Sequence, residues 1–251
     1  MKGQVDPKAA RPQERETSRL IALSDGLFAT VLTLLVLDLR MPAEGTSAGV
    51  TIASYIHWLG PHFFSYAMTF LVAGTFWLSH HNDFAHIVRQ DRGLMGYNLL
   101  FLLSVGLFPF STATIGLGGL QAGEFPFFWA LYASNVILAG VMLDLTWIYA
   151  LSHGLATEEI TPERGRYIAI RQGITPVVFF LSIGVAYLFP SDFLAPYFLF
   201  LIPLAIWGVD RYFAVASRHL WRLSRSELLW RAGTILPWIL ILALAIWAMT
   251  R

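Results

Sequence analysis

The 251-residue chain contains no cysteine, so a disulfide framework, a thiolate metal site and a cysteine nucleophile are all excluded and the fold must rest on helix packing alone. Charge is scarce too. Asp, Glu, Lys and Arg make up 13% of the sequence, against about 25% in an ordinary soluble domain. The net charge of +1 supplies no field of one sign for nucleic acid. Missing as well are the Gly-x-x-x-x-Gly-Lys phosphate loop, the His-Glu-x-x-His zinc motif and the Gly-x-Ser-x-Gly nucleophile elbow. Their absence removes the usual routes to an enzyme. The Thr-Val-Gly-Tyr-Gly loop, whose carbonyls form a potassium filter, is also not found.

What fills the chain is apolar: 56% hydrophobic residues and a mean hydropathy of +0.60. This composition predicts an all-α fold, a polytopic membrane helix bundle embedded in the lipid bilayer. Seven hydrophobic stretches approach or reach the roughly 20 residues of a spanning helix: about 20–41, 55–79, 93–116, 125–151, 168–189, 192–214 and 232–250. Pro190, Ser191 and Asp192 predict a tight turn between the fifth and the sixth. No soluble domain fits in the remaining chain.

Fifteen of the seventeen basic residues fall in alternate connections, and only Arg40 and Arg251 fall on the other side. The positive-inside rule therefore predicts a cytoplasmic N-terminus, in the plasma membrane, with the C-terminus outside if the seventh stretch spans. Residues 1–18 are basic, polar and Pro-containing, without the apolar core of a signal peptide, and read as a flexible cytoplasmic tail. Residues 217–251 read as an arginine-rich linker followed by an extra hydrophobic helix.

The first stretch carries the strongest chemical signal. Arg19, Ser24 and Asp25 stand at its mouth, and a carboxylate at the centre of a spanning helix costs about 2.5–3.5 kcal/mol on insertion scales, less toward the ends. Asp25 therefore needs partners or water. Beyond it, Thr30, Thr33, Leu34, Leu37 and Met41 fall on one helical face at about 100° per residue, which makes that face the candidate pore lining. Threonine hydroxyls can replace part of an ion's hydration shell, and leucine rings gate by dewetting. By spacing alone, the two threonines fit equally well as hydroxyls bonded back to carbonyls one turn earlier, or packed on a neighbouring helix. Asp38, about 80° from the Thr30 direction, is expected to lie off the lining.

The segment Arg19-Leu-Ile-Ala-Leu-Ser-Asp-Gly26 resembles the Arg-x-x-x-Phe-Ser-Asp signature of the transmembrane protein 175 family, the lysosomal potassium channels and their prokaryotic relatives. Phe76-Trp-Leu-Ser-His-His81 and the stretch from Asn98 to Ser111 are similar to the family's other recurrent patches, in the same order. The resemblance implies a potassium-permeable channel with one six-helix repeat per chain, here 19–216. It implies a homotetramer, with the first helix of each subunit around a central pore. By position it implies that Arg19, Leu23, Ser24 and Asp25 hold the cytoplasmic half of that helix, with His80 and Asn98 as hydrogen-bond partners. The narrow rings of the pore would fall at Thr30, Leu34 and Leu37.

The chain departs from the family pattern in three places. Leu23 replaces phenylalanine, Thr30 stands where a bulky Ile or Leu is usual, and the stretch Ala232 to Met249 has no counterpart in a six-helix repeat. Potassium is expected only as the permeant ion, with no cofactor and no resident metal. The cluster His80, His81, Asp83 and His86 holds good ligand types, yet only Asp83 and His86 share a face closely, so hydrogen bonding at a helix end is expected there. Asp144, inside the fourth stretch, is read as pairing across the bundle or relaying a proton. Two other readings stay open from sequence: an ion-coupled transporter using Asp25 or Asp144, and a non-conducting membrane scaffold.

Overall fold

The computed structural model describes residues 12–39, 52–118, 123–190 and 194–216. Helix α1 (Pro12–Leu34) runs into a 3-10 turn, Leu35–Asp38, and is followed by α2 (Ile52–Phe84). The third hydrophobic stretch is two helices, α3 (Arg92–Gly106) and α4 (Phe108–Gly118). Then come α5 (Phe125–Ser152), α6 (Pro162–Leu188), a 3-10 segment Ala195–Phe200 and α7 (Leu201–Ala216). Taking α3 and α4 as one unit, six helical segments stand in chain order among the described residues. Four of the described runs are long and apolar enough to cross a bilayer by themselves: Thr17–Leu37, Arg92–Ile115, Phe125–Ser152 and Pro162–Leu188. The chain is a multi-pass membrane protein. The expected seventh segment and Met41 lie outside the described residues.

Local chemistry sets the helix ends. Asp91 caps α3, its carboxylate accepting from the Leu94 amide at 2.8 Å. Thr161 caps α6 by accepting from the Arg164 amide, Pro162 stands at the first helical position, and Glu163 lies in the positively polarised first turn. At the other end of α5, Gly154 adopts φ 63° and the Leu155 amide folds back onto the Ala150 carbonyl at 2.9 Å. The division of α3 from α4 follows from Pro109, which has no amide hydrogen and crowds the preceding turn. The Leu107 amide bonds instead to the Ser104 carbonyl at 3.2 Å.

Helix α5 is the central post, packed on α3, α4 and α6, with Trp129, Tyr132 and Trp147 fully buried along it. Close approach of α5 and α6 depends on Gly140, because a Cβ there would meet Pro176 Cδ at 2.9 Å. The α2–α3 and α5–α6 connections are joined: the Val88 amide donates to the Leu155 carbonyl at 3.0 Å, and the Thr157 amide to His86 at 2.8 Å. The exposed Arg89, Arg92, Arg164 and Arg166 are therefore gathered at one end of the bundle. α1 packs on α2 and α3, with a smaller contact to α4.

Candidate functional site

Along α1 and into the 3-10 turn the buried residues are Thr17, Leu20, Ser24, Phe28, Val31 and Leu35, a single line at helical spacing. Phe28 anchors it, its ring 5.9 Å from Phe101 on α3 and 6.4 Å from His80 on α2. Seating that line on the bundle turns the opposite face outward. Arg19, Leu23, Gly26, Thr30, Thr33, Leu34 and Leu37 are all exposed on the subunit. By helical register they fall within a sector of about 100°. Leu23 is 53% and Leu37 51% exposed on the subunit, in the range of outward leucines on the other helices such as Leu99 and Leu103. The 3-10 turn at Leu35–Asp38 modifies the register expected from a continuous α-helix. In a 3-10 turn positions three apart eclipse, so Leu37 stacks over Leu34 and does not drift past it.

Both threonine hydroxyls bond back along the helix, Thr30 Oγ1 donating to the Gly26 carbonyl at 2.9 Å and Thr33 Oγ1 to the Thr30 carbonyl at 2.7 Å. Back-bonding and an outward position hold together, and the two sequence readings are not alternatives. The hydroxyl proton is used within the helix, and the oxygen lone pairs are left to whatever faces α1.

Asp25 lies off this face, and its carboxylate accepts from Trp77 Nε1 at 2.9 Å. Trp77 in turn has its ring 5.6 Å from that of His81. Arg19 is about 120° around the helix from Asp25 by register, so the two motif charges serve different sides of α1. On the buried side, Asn98 Nδ2 donates to Ser24 Oγ at 3.3 Å, and Asn98 Oδ1 meets His80 Nε2 at 2.9 Å. His80 is 1% exposed, with Phe84 at 4.2 Å on one side and Phe101 at 5.5 Å on the other. Ser24, Asn98 and His80 thus form one buried chain of bonds linking α1, α3 and α2.

The other members of the histidine cluster each have a separate partner. Gln172 Nε2 donates to both oxygens of Asp83 at 2.8 Å, and His86 Nδ1 lies 2.7 Å from the Asn82 carbonyl. Asp144 faces α6, its Oδ2 3.4 Å from where a Cβ on Gly173 would stand, and its Oδ1 is buried without a hydrogen-bond partner among the described residues. A second polar chain lies deeper along α2. Thr112 Oγ1 donates to Thr69 Oγ1 at 2.8 Å, and Thr69 Oγ1 lies 3.2 Å from the Tyr132 hydroxyl. At the gathered basic end, the Leu94 amide holds the Asp91 carboxyl below its ordinary value, and the Tyr149 hydroxyl adds a second bond at 2.9 Å. Trp77 and Gln172 were not singled out as site residues by sequence reasoning. Trp77 does lie three residues before His80, one turn away on the same helix.

Known proteins show what the chain is similar to. The family model described as endosomal/lysosomal potassium channel TMEM175 matches residues 19–109. A potassium channel of Streptomyces collinus is 30% identical over 173 residues, covering 68% of this chain and 83% of the relative. The human endosomal/lysosomal proton channel TMEM175 is 28% identical over 146 residues, which is 55% of this chain and 29% of that protein. The crystal structure of a lysosomal potassium-selective channel TMEM175 homolog from Chamaesiphon minutus superposes with a TM-score of 0.64 at 23% identity, over 81% of this chain and 98% of that one. That likeness establishes the fold. The family-model match and the Streptomyces collinus relative, which spans two thirds of this chain, lead to one conclusion: the chain belongs to the TMEM175 family, whose members are ion channels and not enzymes.

Proposed function

We propose that this protein is a potassium-permeable cation channel of the plasma membrane. It conducts through an axial pore enclosed by the α1 helices of a homotetramer, with the N-terminus in the cytoplasm. The observation that carries this reading is the exposed face of α1, where Thr30 and Thr33 direct their protons back along the helix while Leu34 and Leu37 stand bare. One helix cannot enclose a conduit, so symmetric copies must complete it. An oxygen whose proton is occupied presents its negative end to the lumen, which suits a weakly hydrated cation, and the Leu34 and Leu37 rings suit a dewetting gate. Met41 would continue the face outward. Asp25, bound to Trp77, and the Ser24–Asn98–His80 chain would hold α1 in place without touching the ion.

The test is ion flux from liposomes holding the purified protein, with potassium and sodium gradients compared and the subunit number measured by native mass spectrometry. Potassium efflux above that of sodium, from a tetramer, is the expected result. Flux no greater than that of empty liposomes, or saturating gradient-coupled turnover, contradicts it.

A further inference from the structure

Arg19 lies on the outward face of α1, in line with Gly26, Thr30, Thr33 and Leu37, and its side chain is exposed. The motif carboxylate, Asp25, is turned to the side of the helix and bonded to Trp77. Arg19 precedes Thr30 by eleven residues, about 16 Å along the axis. It therefore belongs to the mouth and not to the constriction. The charges nearest in the chain are Arg15, one turn earlier on α1, and Glu16; His81 packs on Trp77, on the side away from this face. The exposed Arg89 and Arg92 belong to other elements.

We infer that the Arg19 side chains of the assembled channel form a ring of positive charge at the mouth where α1 begins, a ring that thins permeant cations there and makes the current asymmetric. The inference rests on the reading of this face as a pore lining. Current carrying cations in from the Arg19 mouth is then smaller than current from the opposite mouth. With a cytoplasmic N-terminus the channel passes inward current more readily than outward. Around one guanidinium in water the effect is small, but four charges around one axis add, and low-dielectric walls focus their field. Salt screens that field over about 8 Å at physiological ionic strength and about 3 Å at 1 M. The asymmetry is therefore roughly two- to fivefold at about 0.05 M potassium chloride and vanishes near 1 M.

The absence of native cysteine makes the test direct. Single-channel current–voltage curves are recorded in symmetric potassium chloride for wild type, Arg19→Cys and Arg92→Cys, before and after impermeant thiol reagents of either charge. Arg19→Cys should be symmetric at low salt, regain the asymmetry with the cationic reagent, and show the opposite asymmetry with the anionic one. Arg92→Cys should match wild type throughout. Should Arg19→Cys fail to assemble, Leu23→Cys, one turn on, carries the same test, since an anionic adduct there should cancel the wild-type asymmetry. No potassium current from wild type would count against the pore reading itself. A wild-type current that is symmetric at low salt, or an Arg19→Cys channel whose asymmetry ignores the sign of its adduct, would overturn the Arg19 ring alone.

Discussion

Replacing Trp77 by Phe removes the indole N–H that bonds the Asp25 carboxylate at 2.9 Å while keeping an aromatic ring beside His81. The carboxylate then lies partly buried without that donor. In water-soluble proteins a hydrogen bond to a charged group contributes about 1.5–3 kcal/mol. Pairs measured inside a membrane protein average about 0.6 and reach about 1.7 kcal/mol. Asp25 lies toward the end of its segment, partly buried, so the expected loss is about 1–2 kcal/mol. By the usual scaling for a chain of this length, the midpoint of thermal dissociation should fall by about 2–8 °C. In an Asp25→Asn background the same change should cost less, because stranding a neutral amide is cheaper than stranding a charge. The assay is a double-mutant cycle read by size-exclusion chromatography of heated, fluorescently tagged protein, with the potassium-to-sodium permeability ratio of each variant measured alongside. A coupling energy of about 1 kcal/mol with an unchanged ratio is the expected result. Additivity within about 0.5 kcal/mol would show that the bond holds nothing together. Asp25→Asn with intact stability and an altered ratio would make Asp25 a pore residue.

Two further outcomes follow, one from the structure and one from the sequence. Asp91→Ala removes the α3 cap and the partner of the Tyr149 hydroxyl, and should cost about 0.5–2 kcal/mol in chemical denaturation. Because folding lowers this carboxyl's affinity for protons, its contribution is present above the ordinary aspartate value of 3.8 and is lost as the pH falls through and below it, so wild type and variant should converge in acid. The sequence from Ala232 to Met249 is long enough for a helix of about 27 Å, and no charge occurs between Ile235 and Met249; on the seven-crossing expectation a tag placed after Arg251 should be digested only from outside the cell. Digestion from the cytoplasmic side alone would reduce the topology to six crossings.

The sequence made the faces of helices legible and left their partners hidden. Apolar periodicity is a local property, so the shared face of Thr30, Thr33, Leu34 and Leu37 could be read from the spacing. The resemblance added Ser24, His80 and Asn98, which the fold brings into one chain of bonds. Trp77 is 52 residues from Asp25, and Gln172 is 89 from Asp83. Nothing along the chain encodes such pairs, because the packing of α1 on α2 and of α2 near α6 decides them. The 3-10 turn at Leu35–Asp38 carries no glycine or proline to announce it. Pro109 did mark the break between α3 and α4, but a hydropathy window averages across one proline. Asp144 could be flagged as a buried carboxylate, whereas its place beside Gly173 needed the fold.

The central claim is that ions pass along the outward face of α1, and covalent modification during conduction tests it most directly. Thr33→Cys and Val31→Cys are each recorded as single channels while a small cationic thiol reagent is applied, with the extent of labelling checked by mass spectrometry. The account predicts that Thr33→Cys currents fall stepwise as the subunits are labelled, and that Val31→Cys, buried at 2% exposure on the opposite side of the helix, is unaffected. A Thr33→Cys channel that is fully labelled yet conducts as before, beside a Val31→Cys channel that is blocked, would place the ion path on another face and contradict the account.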